Sequence, residues 1–219
     1  MKKAIIAGAS GLIGNYLLQI MLDGNDYDEV LILVRKELPV HHNKLKQLIV
    51  DYAHLNDYAK EIKGDAIFCC LGTTKKKTPD ETEYRKIDHD YPLDLAEIAK
   101  RNNISQYHLV SAASANASSK IFYSRLKGET EDDIIKLGLP SLHIYRPMLL
   151  TGNRNETRTG EGIATAIFKV IDPLLIGRLK KYRSIAGSAV ANTMYKQSLK
   201  KENGIFIYRS DKIQELSSI

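Results

Sequence analysis

Cysteine is scarce: the 219 residues include two, Cys69 and Cys70, adjacent inside an apolar run. That excludes a disulfide framework and argues against thiol redox chemistry, because neighbouring cysteines in a strand-like stretch read as buried, reduced thiols. Long hydrophobic runs are missing as well. No segment approaches the roughly 20 apolar residues of a bilayer span, and the chain enters its first apolar strand too early to hold a cleavable signal. A soluble, cytoplasmic protein with no membrane partner is expected. Metal-ligand sets are lacking: the six histidines include the pair His41-His42, but no cysteine or carboxylate set accompanies it, and no metal is predicted. Repeats and linkers are absent too, and with 43% hydrophobic residues the chain can bury a sizeable core as one unit.

Charge of one sign is missing from most of the chain. Residues 1–150 hold 20 Lys/Arg and 20 Asp/Glu, while residues 151–219 hold 12 and 6, so the net charge of +6 arises in the last third. There, cations alternate with apolar residues, as in Ile176-Gly177-Arg178-Leu179-Lys180-Lys181-Tyr182-Arg183. No helix-turn-helix, zinc-finger or RNA-binding signature accompanies them, so no nucleic-acid partner is expected. A solvated surface, or one that attracts an anionic substrate or partner, accounts for the excess. Lys75-Lys76-Lys77 beside Thr78-Pro79 reads as a solvated loop.

The opening residues carry the most information. Ala4-Ile5-Ile6-Ala7 leads into Gly8-Ala9-Ser10-Gly11-Leu12-Ile13-Gly14, and Leu12, Ile13, Leu17, Ile20 and Met21 then recur at helical spacing. This is the pattern of a strand that turns directly into a helix over a bound phosphate. The glycines permit a tight turn and close approach, and the helix N-terminus favours a pyrophosphate. Gly8, Ser10, Gly11, Leu12, Ile13 and Gly14 are therefore candidate cofactor contacts. Gly24-Asn25 breaks the helix, and Val30-Leu31-Ile32-Leu33-Val34 completes a βαβ unit as a buried parallel strand.

The end of that second strand normally lies beside the adenosine ribose. An acid there would accept hydrogen bonds from a free 2′-hydroxyl, whereas Arg35-Lys36 favour a 2′-phosphate by charge and by the guanidinium fork. NADP is therefore expected over NAD, with Glu37 as an opposing neighbour and two exposed loop cations as the plain alternative. Leu48-Ile49-Val50 reads as a third strand ending at Asp51, and Asp65 to Thr73 as a fourth. Since ligands bind outside the carboxyl ends of such strands, Asp51, Leu71, Gly72 and Thr73 are expected to line the adenine and the middle of the cofactor. A helix from about Pro92 to Lys100 and a fifth strand, Tyr107-His108-Leu109-Val110, follow.

That strand ends at Ser111, and twelve residues later come Tyr123 and Lys127, four apart and so on one face of a helix. A nearby ammonium favours phenolate and fits a tyrosine to exchange a proton with an alcohol or carbonyl, while a serine hydroxyl holds the same oxygen. The lysine would also reach the nicotinamide ribose. Ser111, Tyr123 and Lys127 are the candidate catalytic residues. Tyr208 and Lys212 repeat the spacing, but Tyr208 sits in a strand-like segment, Gly204-Ile205-Phe206-Ile207-Tyr208, and reads as structural.

In that order, the glycine motif, Ser111, Tyr123 and Lys127 resemble the short-chain dehydrogenase/reductase superfamily over at least residues 1–150. Phe68-Cys69-Cys70-Leu71-Gly72-Thr73-Thr74, Asp88-His89-Asp90-Tyr91 and Leu126-Lys127-Gly128-Glu129 resemble its atypical branch, which includes the Tat-interacting protein of animal cells. The spacing Gly-x-x-Gly-x-x-Gly is similar to that of extended and atypical members, as is Tyr145-Arg146-Pro147 followed by Leu150-Thr151-Gly152. The resemblance implies an α/β protein: a doubly wound parallel sheet of about seven strands, the NAD(P)-binding Rossmann fold. It also implies NADPH across the top of the sheet, Pro147 and its neighbour Met148 at the nicotinamide, and a substrate pocket built by the segment after Pro147. Asp88 stands near where many relatives use an asparagine for proton relay, so that relay is expected to run differently or not at all.

One domain over 1–219 is expected, with 1–150 as the cofactor-binding and catalytic core and 151–219 lining the substrate pocket. That short second part leaves little material for a nucleotide-sugar pocket. Within it, Glu161 to Lys169 suits a short helix stopped by Asp172-Pro173, Ala189 to Tyr195 another, and Ile205 to Tyr208 a last strand, with Ser210-Asp211 capping a closing helix. Arg154 and Arg158, with Glu156 between them, read as solvated charge, with a hold on an anionic group near the nicotinamide as the alternative. The expected activity is an NADPH-dependent oxidoreductase acting on a small carbonyl or alcohol, as a monomer or homodimer. The alternative is a regulator that senses NADPH and acts through protein partners without turnover.

Overall fold

Strands that are apolar on both faces need cover on both sides, and a parallel sheet between two helical layers supplies it. A computed structural model of the protein describes residues 1–151 and 183–218. The strands are β1 (Lys3–Ala7), β2 (Glu29–Val34), β3 (Leu45–Ile49), β4 (Ala66–Cys69), β5 (Gln106–Val110), β6 (Ser141–Arg146), β7 (Leu150–Thr151), β8 (Ile185–Ala186) and β9 (Gly204–Arg209). Seven of them form one sheet in the order β3-β2-β1-β4-β5-β6-β9, every neighbouring pair parallel, and β7 pairs with β8 apart from it. This is the doubly wound, Rossmann-like α/β fold anticipated from the sequence.

The helices are α1 (Leu12–Asp23), α2 (Glu81–Arg85), α3 (Tyr91–Arg101), α4 (Phe122–Lys136), α5 (Gly187–Ser198) and α6 (Ser210–Ser218). Successive strand residues point to opposite faces, so Ile6 joins Leu17, Met21, Met194 and Ile213 in the core under α1, α5 and α6. Its neighbour Ile5 joins Leu95, Ile98, Tyr107 and Ile134 under α3 and α4. The chain winds outward from β1 to β3, then crosses back to β4. The resulting switch point lies between β1 and β4, where Cys70 N–H donates to the Ala7 carbonyl at 2.8 Å. A crevice for a ligand opens at the carboxyl ends of strands so arranged.

Several boundaries differ from those read in the sequence. β3 begins at Leu45, because an edge strand is only half covered and tolerates Lys46 and Gln47. β4 stops at Cys69, where its pairing with β1 ends at Ala7 and its pairing with β5 at Leu109. The helix expected from Pro92 is the last part of a longer helical run, α2, a π-turn (Lys86–Asp90) and α3. The helix expected over Glu161–Lys169, its stop at Asp172-Pro173, and Arg154 and Arg158 lie outside the described residues.

Rings stack in a row across β4, β5, β6 and β9: Phe68 on His108 at 4.6 Å, His108 on His143 at 4.4 Å and His143 on Phe206 at 4.8 Å. The hydroxyls of Tyr145 and Tyr208 meet Nδ1 of His108 and His143, each at 3.0 Å. Tyr208 is thus part of the sheet's interior. Burial pushes both imidazoles down, His108 far below its ordinary value and His143 to about 4.

Candidate functional site

The turn between β1 and α1 is shaped by two close approaches. Gly8 has φ +86°, a left-handed conformation, and a Cβ on it would lie 2.6 Å from the Cys70 carbonyl oxygen. A Cβ on Gly14 would lie 2.2 Å from the Gly8 carbonyl oxygen, so α1 starts in direct contact with the loop. α1 has no capping side chain and no acid in its first turn, and Asn15 N–H makes its first backbone bond, to Gly11 C=O at 2.8 Å. The N–H groups of Leu12, Ile13 and Gly14 thus lack helical acceptors, and Ser10 and Gly11 are exposed beside them. Such a helix start fits a phosphate or pyrophosphate through its free donors and its dipole.

On the outer strands, Arg35 and Lys36 follow β2 directly and both are exposed. Asp51, exposed after β3, accepts Ala53 N–H at 2.9 Å and meets His54 Nδ1 at 3.0 Å; the His54 contact, then the backbone bond, lowers its pKa. Tyr52, overlooked in the sequence, is buried beside it. Its hydroxyl donates to Leu33 C=O at 2.9 Å and its ring stacks on Tyr91 at 5.5 Å, tying the end of β2 to the start of α3. Its one signal was an aromatic residue just after a strand end.

α4 carries Tyr123 and Lys127 one turn apart. Tyr123 is 38% exposed, whereas Lys127 is buried with Nζ 2.7 Å from Asp88 Oδ1. The second oxygen of Asp88 accepts Thr73 N–H at 2.7 Å. A single carboxylate, 1% exposed, therefore joins α4 to the loop after β4. The π-turn puts it there, and its backbone carbonyl accepts Thr130 Oγ1 at 3.0 Å. Thr73 is held further by Tyr84, whose hydroxyl donates to its carbonyl at 3.1 Å, and by Thr78 Oγ1 at 2.8 Å from its own Oγ1. Leu71 is half-buried and Gly72 exposed in the same loop. Burial disfavours the Lys127 ammonium, but the Asp88 carboxylate, with Tyr123 adding to it, more than offsets this and raises the lysine's pKa.

The structure adds a buried partner for Ser111. Expected to present its hydroxyl to a substrate oxygen, Ser111 is buried and its Oγ donates to Glu131. The Glu131 carboxylate also accepts Arg146 Nε, at 3.0 Å from each oxygen, and Arg146 Nη2. In this arrangement the one hydroxyl hydrogen of Ser111 goes to a buried carboxylate. Ser111 thus helps fasten α4 to the ends of β5 and β6. Glu131, 2% exposed, was also overlooked; its available signal was its place one turn after Lys127 on the stripe that continues to Ile134.

Pro147 C=O accepts Ala113 N–H at 3.0 Å, and Met148 N–H donates to Ser210 Oγ at 2.8 Å, so the turn after β6 is tied to the loop after β5 and to the start of α6. Ser210, expected as a cap, lends its oxygen to this tether. Cys69 and Cys70 are free, and burial pushes both thiols up, away from reactive thiolate. Among the described residues, no group of three or more His, Cys, Asp or Glu is arranged to hold a metal ion.

The carboxyl edge of the sheet thus carries the glycine turn, the Leu71–Thr73 loop, Tyr123, Lys127 and Pro147, with Arg35 and Asp51 at the ends of the outer strands. The NAD dependent epimerase/dehydratase family matches residues 4–133, more than half of the chain. Protein HTATIP2 of Rattus norvegicus is 36% identical over 171 residues, 76% of this chain and 70% of that protein. Protein FMP52, mitochondrial, of Kluyveromyces lactis is 32% identical over 220 aligned positions, 98% of this chain and 95% of that protein. The fold is similar to that of the enzyme WbmH of Bordetella bronchiseptica in complex with NAD+, with a TM-score of 0.72 and 18% identity over 100% of this chain and 79% of that one. A UDP-N-acetylglucosamine 4-epimerase from Methanobrevibacter ruminantium gives 0.71 and 17% over 99% and 80%. The chain belongs to the NAD dependent epimerase/dehydratase family and, within the short-chain dehydrogenases/reductases, to the atypical branch.

Proposed function

We propose that the protein is an NADPH-dependent oxidoreductase that works on a small carbonyl or alcohol. The observation that carries this reading is an uncapped helix start over a glycine turn, at the same sheet edge as a buried, ion-paired Lys127 and a half-exposed Tyr123. In this reading the N–H groups of Leu12, Ile13 and Gly14, with Ser10 and Gly11, hold the pyrophosphate. Arg35 and Lys36 favour the 2′-phosphate, Asp51 lies at the adenine, Leu71, Gly72 and Thr73 line the middle, and Pro147 and Met148 border the nicotinamide. A Cβ on Gly72 would meet nothing closer than Asp88 Oδ1 at 3.6 Å, which leaves room there for a ligand.

The dinucleotide, when bound, supplies or accepts the hydride. Tyr123 gives its hydroxyl proton to the substrate oxygen during reduction and takes one back during oxidation. Lys127, held by Asp88, donates to ribose hydroxyls, and Ser111 secures α4 through Glu131. One observation favours the second reading, a cofactor sensor without turnover: the Ser111 hydroxyl is bonded to Glu131. We place the protein in the cytoplasm; the yeast relative named mitochondrial makes that organelle the competing compartment, and fractionation decides between them.

The test is NADPH oxidation across a panel of small aldehydes and ketones. Wild-type protein should turn over at least one, and Tyr123→Phe should lower that rate by about 100-fold or more. Unchanged turnover by Tyr123→Phe would contradict the assignment. No turnover by protein that binds NADPH would favour the sensor, and a pull-down with and without NADPH would then look for its partner.

A further inference from the structure

We propose that Asp88 is a positioning residue, an acceptor-only carboxylate that locks Lys127 to the Thr73 loop in a geometry an asparagine cannot supply. For its effect on dinucleotide binding this inference rests on the function proposed above; for its effect on Lys127 it stands alone.

Each oxygen of the carboxylate faces one donor, Lys127 Nζ at 2.7 Å and Thr73 N–H at 2.7 Å. An asparagine has one oxygen and one NH2 group, so at this position its NH2 would face either the ammonium or the backbone N–H, donor against donor. Solvent does not relieve the mismatch, because Asp88 is 1% and Lys127 5% exposed. The backbone carbonyl of Asp88, the other acceptor nearby, is taken by Thr130 Oγ1 at 3.0 Å. The carboxylate is also the sole counter-charge near the lysine among the described residues. Tyr123 on the same helix and the Cys69 thiol on β4 face Lys127 from their sides, and Glu131, one turn on, is committed to Arg146 and Ser111.

A buried ammonium that loses its carboxylate releases its proton at lower pH. The lock therefore does two things: it keeps Lys127 charged, and it couples the lysine's position to the loop that lines the middle of the crevice.

The experiment follows the Lys127 side-chain carbon by NMR through a pH titration of full-length protein labelled at lysine Cε, with Lys127→Met assigning the signal. In wild type, Lys127 should stay charged beyond the ordinary lysine value of about 10.4. In Asp88→Asn its midpoint should fall at least about one unit below that value. NADPH affinity of Asp88→Asn should drop about tenfold at neutral pH and weaken further as pH rises through the lowered midpoint. The double variant Asp88→Asn/Lys127→Met removes the clashing donor, so it should melt higher than Asp88→Asn, bind NADPH weakly and show no such pH dependence.

If Asp88→Asn does not fold, recovery of folding in the double variant supports the lock and failure to recover overturns it. A Lys127 midpoint in folded Asp88→Asn equal to wild type also overturns it. Wild-type protein that binds neither NADPH nor NADH would overturn the dinucleotide reading, while the lysine titration would still decide the lock.

Discussion

On the β1–β3 side of the sheet's carboxyl edge, the groups we propose as dinucleotide contacts are backbone donors and exposed side chains: the N–H groups at the start of α1, Arg35, Lys36 and Asp51. On the β4–β6 side, the candidate side chains rest on buried ion pairs, Asp88 with Lys127 and Glu131 with Arg146. On the first side the glycine turn is closely packed backbone with no space for a Cβ at Gly8 or Gly14; on the second, buried charges cannot lose their partners cheaply. Substituting an exposed side chain on the first side should change binding and leave stability alone, whereas changes on the second should alter both.

The largest effect is expected where the first side has no tolerance. Gly14→Val puts side-chain atoms onto the Gly8 carbonyl, and we expect a loss of roughly 3 kcal/mol or more in urea unfolding together with loss of dinucleotide binding. Near-wild-type stability would mean that the turn yields and that sterics do not hold this side. Next comes Glu131→Ala, which removes the acceptor of both Ser111 and Arg146 and should cost about 3 kcal/mol in the same assay. A cost below about 0.5 kcal/mol, typical of surface positions, would remove the contrast between the two sides.

Acid sharpens the comparison, because the stacked histidines lie in the strands beneath the second side. Both are neutral in the fold with depressed pKa values, so the unfolded chain binds more protons below about pH 6.5. Their contribution is complete above that pH and is lost as pH falls from there through the His143 value of about 4, removing roughly 3 kcal/mol for that residue. Urea midpoints that stay level from pH 7 to pH 5 would contradict this. The smallest stability effect belongs to Arg35→Ala, expected within about 0.5 kcal/mol of wild type because the side chain is exposed after β2.

The same contrast explains what could be read from the chain alone. β1, β2 and β4 are short apolar runs whose parallel pairing follows from burial on both faces, and the glycine turn is contiguous in sequence with the helix it serves. Tyr123 and Lys127 share a helix, so their spacing was legible. The partners of the second side are far apart in the chain: Asp88 meets Thr73 and Lys127, and Glu131 meets Ser111 and Arg146, only after strand order and helix rotation are set. The π-turn that aims Asp88 has no periodic signature, so the departure from asparagine was visible while its two contacts were not. The Ser111 contact was hidden for the same reason: a strand-end serine twelve residues before a tyrosine looks alike whether or not its hydroxyl meets Glu131.

The central claim, that this crevice is an NADPH site with Arg35 as a reader of the 2′-phosphate, is tested most directly by calorimetric titration of cofactor-free protein. NADPH and NADH would be compared on wild type and on Arg35→Ala. The account predicts tighter binding of NADPH by wild type and loss of that preference in Arg35→Ala, with NADH affinity little changed. Binding of neither dinucleotide by folded wild-type protein, or a preference for NADPH that survives the substitution intact, would contradict it.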